Sequence, residues 1–108
     1  MSVFNFNFFK QPDINQGVRN YQNTPGSVLL DVRTPPEYGN GHIPGSKNVP
    51  LQVIDKVVSV VENKDTMLYV YCQSGARSRQ ATSMLQGMGY TNVNNIGGIA
   101  AYAGKVEV

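Results

Sequence analysis

Residues 67–78 read MLYVYCQSGARS, a sequence that predicts a buried strand, a short loop and the start of a helix. Residues 67–71 form a continuous apolar run, which is typical of a strand buried on both faces of a parallel sheet. Small polar residues follow, and a helix is predicted to begin near Arg77. In α/β domains, ligands bind at the carboxyl ends of such strands. We therefore expect Cys72, at the end of this strand, to be part of a functional site.

Strands and helices alternate on either side of this stretch. Apolar or alternating runs predict strands at residues 3–8, 28–32, 47–49 and 93–96. Capping patterns at Asp13 and Thr34 predict two helices, and a third, at residues 81–88, is predicted to stop at Gly89. This order predicts an α/β fold with a central, mainly parallel sheet flanked by helices.

Three weaker patterns complete the secondary-structure prediction. Met84 and Met88 have core spacing on the predicted helix, and Gly97 with Gly98 indicates a turn into a short C-terminal segment. One face of a further predicted helix is formed by Leu51, Ile54, Val57, Val58 and Val61.

Length and composition restrict the class of protein. The 108 residues are 41% hydrophobic and 15% charged, which predicts one domain over residues 1–108. The net charge of +2 is too small for a nucleic-acid binder, and no apolar stretch is long enough to predict a membrane span. The N-terminal residues do not have the pattern of a signal peptide, so we expect a cytoplasmic protein.

The chain has a single cysteine, Cys72, and a single histidine, His42. These counts exclude an intrachain disulfide and a multi-cysteine zinc site, and we expect neither a metal nor a cofactor. A lone cysteine fits a reducing compartment. Two interpretations of Cys72 remain open, because free cysteines serve either as small buried hydrophobes or as reactive thiols.

The residues after Cys72 favour the reactive interpretation. A loop that curls around its first side chain directs backbone N–H groups at that side chain, and a following helix adds the positive end of its dipole. Gly75 allows strained backbone geometry, and Arg77 places a cation at the end of the loop. All these features favour the thiolate over the thiol, and the thiolate is the nucleophilic form. The alternative is a cysteine that ends a buried strand beside an ordinary turn.

Several ordered motifs resemble the rhodanese domain family over nearly the whole chain. They are LDVR at residues 30–33, GHIPGSKNVP at residues 41–50, YCQSGARS at residues 71–78, and GYTNV at residues 89–93 followed by Gly97 and Gly98. One departure is Tyr102, which stands where the family usually has tryptophan. The packing of the C-terminal segment is therefore less well predicted than the loop.

The resemblance implies a single rhodanese-like domain with sulfurtransferase activity. Cys72 would be the catalytic nucleophile, taking sulfane sulfur from thiosulfate or a persulfide donor and passing it to cyanide or a thiol through a persulfide. A sulfur-accepting protein is a further partner that the resemblance allows, whereas nucleic acid and membrane are not expected. Arg77 would close the loop and attract anionic donors. The substrate would be held by Gln73, Ser74, Gly75, Ala76 and Arg77.

Two other functions are alternatives to sulfur transfer. A cysteine phosphatase on this fold would need the wider Cys-x5-Arg loop, whereas Cys72 and Arg77 are spaced as Cys-x4-Arg. The second is a non-catalytic or sulfur-carrier rhodanese-like module that binds a partner protein. Because non-catalytic modules commonly lose the cysteine, its presence favours an enzyme.

Neighbouring charged residues leave alternatives open. Asp31 is expected to have a structural role, because a carboxylate beside the thiol would oppose its ionisation. Arg33 either pairs with Glu37 at the surface or borders the site. His42 is expected to support the fold, since a thiol activated by a dipole needs no base. Arg79 either adds positive potential at the mouth of the site or is plain helix surface.

Overall fold

Four short strands form one parallel sheet in the computed structural model, which describes residues 11–108. The strand that ends at Cys72 lies inside the sheet, and all five of its residues are buried. The predicted α/β class with a mainly parallel sheet is confirmed, whereas the strand predicted at residues 3–8 lies outside the described residues. The strands are β1 (Val28–Asp31), β2 (Lys47–Asn48), β3 (Leu68–Cys72) and β4 (Val93–Gly98). Their order in the sheet is β2-β1-β3-β4.

Helices connect these strands. In chain order they are α1 (Ile14–Gln22), α2 (Pro35–Gly39), a 3-10 helix (Leu51–Lys56), α3 (Val57–Val60), α4 (Ala76–Gly87) and a second 3-10 helix (Ile99–Ala101). The Asp13 carboxylate caps α1 by accepting the N–H of Asn15 at 3.0 Å. At α2 the predicted reciprocal capping box is complete between Thr34 and Glu37.

The sheet separates two hydrophobic cores because successive side chains of a strand point to opposite faces. Leu68, Val70 and Cys72 belong to the core under α4 and the first 3-10 helix, together with residues such as Ala81 and Leu85. Tyr69 and Tyr71 belong to the other core, which packs against α1. The strand that carries Cys72 is therefore held by packing on both faces.

Three sequence predictions about local structure were wrong. The helix predicted through residues 51–61 is a 3-10 helix interrupted at Val53 and followed by one α-helical turn. Val53, the residue at the break, is β-branched and so loses rotamer freedom in a helix. Ile54, Val57 and Val61 are in the core and Leu51 packs against it, but Val58 is 45% exposed. Met84 is 41% exposed on α4 rather than in the core. Gly97 and Gly98 continue β4 instead of turning away from it.

Candidate active site

Cys72 is fully buried at the carboxyl end of β3, and the backbone of the following loop turns towards its sulfur. The Gly75 N–H donates to Cys72 Sγ over 3.0 Å. Gly75 precedes the first turn of α4 with φ +105°, a left-handed conformation that side chains rarely adopt. This glycine therefore allows the amide to point at the sulfur and the helix to begin beside it. We call residues 73–77 the Cys72 loop.

Ser78, on the first turn of α4, is the second close neighbour of the sulfur. It is fully buried, and its Oγ lies 3.6 Å from Cys72 Sγ. The same hydroxyl lies 2.7 Å from Asn95 Oδ1 on β4 and 3.0 Å from the Gly75 carbonyl. The sequence motif included Ser78 but assigned it no role in the site. The signal was its spacing from Ala81 and Leu85, which puts all three residues on the buried face of α4.

Hydrogen bonds lower the pKa of Cys72 below that of an ordinary thiol. The largest single contribution is burial, which raises the pKa because it disfavours the charged form. The Ser78 hydroxyl and the backbone N–H groups of Ser78, Gly75 and Ser74 outweigh it by stabilising the thiolate. The geometry therefore supports a nucleophilic sulfur.

The Cys72 loop turns its backbone inwards and most of its side chains outwards. Gln73, Ser74 and Ala76 are exposed, Gly75 is buried, and Arg77 is intermediate. Among the predicted loop residues, Ser74 and Gly75 direct backbone N–H groups at the sulfur.

Arg77 is paired with Glu37 of α2. Its guanidinium donates to the two carboxylate oxygens over 2.8 and 2.9 Å, which is a bidentate arrangement. The hydrogen bond from Arg77 lowers the pKa of Glu37 to about 2. Arg77 therefore ties the end of the loop to α2 as a balanced ion pair, and much of the charge expected to attract donors is already neutralised.

Arg33 borders the Cys72 loop on the side of α2, as the Arg77–Glu37 pair does. Its guanidinium donates to the Asp31 carboxylate, with a shortest distance of 2.7 Å, and reaches Gln73 Oε1 over 3.3 Å. The expected structural role of Asp31 is thus visible as a buried ion pair. The alternative pairing of Arg33 with Glu37 does not form, because Glu37 binds Arg77.

His42 and Tyr102 stabilise the periphery of the fold. The His42 ring stacks on Tyr38 at 3.8 Å, and its backbone pairs with that of Glu107. Tyr102, which replaces the family's usual tryptophan, packs against the core beside α1. Across residues 11–108, neither a helix suited to crossing a membrane nor a cluster of three metal-binding side chains is found.

The opposite side of the loop is held by β4 and the second 3-10 helix. The Ala100 N–H donates to the Gln73 carbonyl over 3.1 Å. A Cβ added to Gly98 would lie 2.7 Å from the Ser74 Cα, so only glycine fits without displacing the loop. A cleft of about 310 Å³ opens here, and we call it the β4 cleft; its lining includes Pro12, Ile14, Gly75, Arg79, Asn95 and Ala100.

Comparisons with known proteins agree with this geometry. The family model described as the rhodanese-like domain matches residues 15–105. The thiosulfate sulfurtransferase PspE of Escherichia coli is 41% identical over 71 residues, covering 65% of this chain and 68% of its own length. A sulfurtransferase of Allochromatium vinosum is 42% identical over 81 residues, covering 74% and 75%.

Solved structures give the same result. A rhodanese from E. coli, determined with anions, superimposes with a TM-score of 0.70 at 35% identity, covering 75% of this chain and 96% of that one. A human single-domain sulfurtransferase superimposes with a TM-score of 0.68 at 25% identity, covering 82% and 91%.

Proposed function

The chain belongs to the rhodanese-like domain family, and from that premise we propose that it transfers sulfane sulfur through a persulfide on Cys72. Sulfurtransferase function is supported at the level of the family by relatives that carry that name. The observation that carries the finer proposal is the Gly75 N–H directed at Cys72 Sγ over 3.0 Å, at the N-terminus of α4. This arrangement stabilises a thiolate and then a persulfide anion.

The proposed reaction has two displacements. The Cys72 thiolate attacks the outer sulfur of thiosulfate, the S–S bond of the donor breaks, and sulfite leaves with the bonding electron pair. With a persulfide donor, the leaving group is a thiolate. An acceptor thiolate or cyanide then attacks the outer sulfur on Cys72, forming a new persulfide or thiocyanate and restoring the cysteine thiolate. No external oxidant or reductant is required.

The Cys72 loop would supply the binding energy for the intermediate. Backbone N–H groups of Ser74, Gly75 and Ser78 already stabilise negative charge on the sulfur, and a persulfide anion carries the same charge one atom further out. Because Cys72 is fully buried, entry of a donor sulfur requires a small local displacement.

A binding-only module is the alternative, and the thiol argues against it. A module that only binds a partner gains nothing from a cysteine whose pKa is lowered by directed hydrogen bonds. A phosphatase is disfavoured because the Arg77 guanidinium binds Glu37, which leaves it unavailable as a phosphate-binding fork.

Mass spectrometry of the intact protein tests the proposal directly. After incubation with thiosulfate or an organic persulfide, the mass is expected to increase by one sulfur atom and to return on addition of cyanide. Since Cys72 is the single cysteine of the chain, the added sulfur reports on this residue.

Cys72→Ser is the matched control for this experiment, because it replaces only the sulfur atom. We expect no gain in mass and no thiocyanate formation, with an unfolding temperature close to that of the wild type. A wild-type mass that no donor changes would overturn the proposal in favour of a binding module.

A further inference from the structure

The β4 cleft shares part of its lining with the backbone that binds the Cys72 sulfur. Gly75 is shared by both sites, because its N–H donates to Cys72 Sγ and its residue lines the cleft. Ser74, whose backbone N–H also stabilises the thiolate, lines the cleft as well. A molecule bound in the cleft would therefore contact two residues whose backbone N–H groups face the sulfur.

The walls of the β4 cleft fit an organic molecule better than a small inorganic ion. Pro12, Ile14 and Ala100 contribute apolar surface, and Asn95 contributes a polar amide. The volume of about 310 Å³ is at the lower end of the range for small-molecule sites, which is about 300–1,000 Å³. Thiosulfate, with two negative charges and no apolar part, would leave these apolar walls unused.

Arg79 is the single charged residue among those that line the cleft. It is exposed, and no ion pair forms between it and an acidic residue of the described chain. Residues 1–10 contain no Asp or Glu, so they provide no acidic partner either. The nearby carboxylate of Asp13 already accepts the N–H groups of Asn15 and Gln16.

Arg77 and Arg79 therefore differ in what they offer a ligand. Arg77 is bound by both carboxylate oxygens of Glu37, whereas Arg79 keeps its charge available at the edge of the cleft. A ligand that enters beside the Cys72 loop would meet the positive charge of Arg79 with apolar surface next to it.

We propose that the β4 cleft binds the organic part of a low-molecular-weight persulfide donor that carries a carboxylate, with Arg79 pairing with that carboxylate. This rests on the proposed sulfurtransferase function and specifies its donor class. The Cys72 thiolate attacks the terminal sulfur of the donor, the donor S–S bond breaks, and the organic thiolate leaves with the electron pair. The proton of a protonated donor persulfide goes to solvent or to that leaving thiolate.

A series of small persulfides that differ mainly in charge tests this assignment. The donors are the persulfides of 3-mercaptopropionate, 2-mercaptoethanol and cysteamine, which carry a negative, a neutral and a positive end. Transfer to cyanide is measured as kcat/KM for each. We expect the wild type to prefer the anionic donor over the neutral one by about three- to tenfold, the range of a partly screened ion pair.

Variants of Arg79 test whether this arginine causes the preference for the anionic donor. In Arg79→Gln the preference for the anionic donor should disappear through an increase in KM, with kcat unchanged. In Arg79→Glu the cationic donor should become the best of the three. Arg19→Gln removes an exposed arginine from α1, outside the residues that line the cleft, and should leave the order of donors as in the wild type.

The experiment distinguishes failure of the proposed function from failure of the cleft assignment. If no donor adds sulfur to Cys72 in the wild type, the proposed function itself is wrong. If all three donors add sulfur but their order is the same in wild type and Arg79→Glu, the function stands and the assignment of the cleft is overturned. A wild type that uses thiosulfate far better than every organic persulfide would also overturn it.

Discussion

The two sides of the Cys72 loop are built on different principles. On the side of α2, charge holds the structure, because Arg77 is paired with Glu37 and Arg33 is paired with Asp31. On the side of β4, backbone contacts hold it, through the hydrogen bond from Ala100 to Gln73 and the close approach of Gly98.

This difference shows that Arg77, the arginine within the Cys72 loop, is less available to a ligand than Arg79. A cation that already has a bidentate partner contributes rigidity, whereas an unpaired cation at a cleft contributes recognition. Both sides thus hold the loop in position, and the β4 side also offers space and a charge to a ligand.

Gly98→Ala should disrupt the backbone contacts that hold the loop on the β4 side, and we expect it to have the largest effect on sulfur loading and stability. The backbone of Gly98 is extended, with φ −126° and ψ 141°, so any residue can adopt it, and the whole effect comes from crowding. The new Cβ would be 2.7 Å from the Ser74 Cα, which forces the loop away from Cys72. We expect sulfur loading to slow at least about tenfold and the free energy of unfolding to decrease by about 1–3 kcal/mol.

Gly87→Ala provides the matched control for this change. No atom lies within 4 Å of a Cβ added there, at the end of α4. Stability should be unchanged or increase by up to about 1 kcal/mol, and loading should keep its wild-type rate. Equal loading rates in the two variants would show that the close approach of Gly98 is irrelevant to the loop.

Ser78→Ala removes one side-chain contact between the sulfur and the β4 side. Without the hydroxyl, the pKa of Cys72 should rise, because a donor to the thiolate is lost. Each unit of increase reduces the thiolate fraction about tenfold at a pH well below the pKa. The thiolate can be followed by its ultraviolet absorbance during a pH titration, since the chain has a single cysteine.

Ser83→Ala, on the exposed side of α4, should leave that titration unchanged, and Ser78→Thr should restore most of the wild-type midpoint. We expect the loss of loading at neutral pH in Ser78→Ala to be several-fold, smaller than in Gly98→Ala. A titration midpoint that does not move would assign Ser78 a packing role alone.

Glu37→Gln should break the α2 side with the smallest effect. Glutamine still accepts the Thr34 hydrogen bonds of the capping box but removes the negative charge that Arg77 binds. Because both side chains are about one-third exposed, we expect a loss of about 1 kcal/mol or less in the free energy of unfolding.

The pH dependence identifies the ion pair as the source of this loss. The pKa of Glu37 falls from 4.5 to about 2 on folding, so its stabilisation is complete above 4.5 and is lost as the pH falls towards about 2. The stability difference between wild type and Glu37→Gln should follow this course. Glu62→Gln, at an exposed position, is the control for loss of a charge, and a difference that persists to pH 2 would contradict the assignment.

The sequence predicted the elements that place Cys72, because their signals are local. The buried run of β3, the capping box at Thr34 and Glu37, and the stop at Gly89 each depend on neighbouring residues. The helix predicted through residues 51–61 failed since its apolar spacing did not reveal the break at Val53.

The partners of the site could not be predicted in the same way. Glu37 and Arg77 are 40 residues apart, and either could have paired with another charge, such as Arg33 for Glu37. Ser78 depends on Asn95 of β4, which is 17 residues away. Side-chain pairing across such separations is decided by the packing of whole elements, which a one-dimensional pattern does not contain.

The inward-facing backbone of the Cys72 loop has a consequence for evolution. Gln73, Ser74 and Ala76 are exposed, so mutation can replace their side chains while the amides that face the sulfur stay in place. Gly75 and Gly98 tolerate no such drift, because one needs a left-handed backbone and the other needs an absent Cβ. Point mutation at these three positions can therefore change the surface around Cys72 without rebuilding the backbone that holds the sulfur.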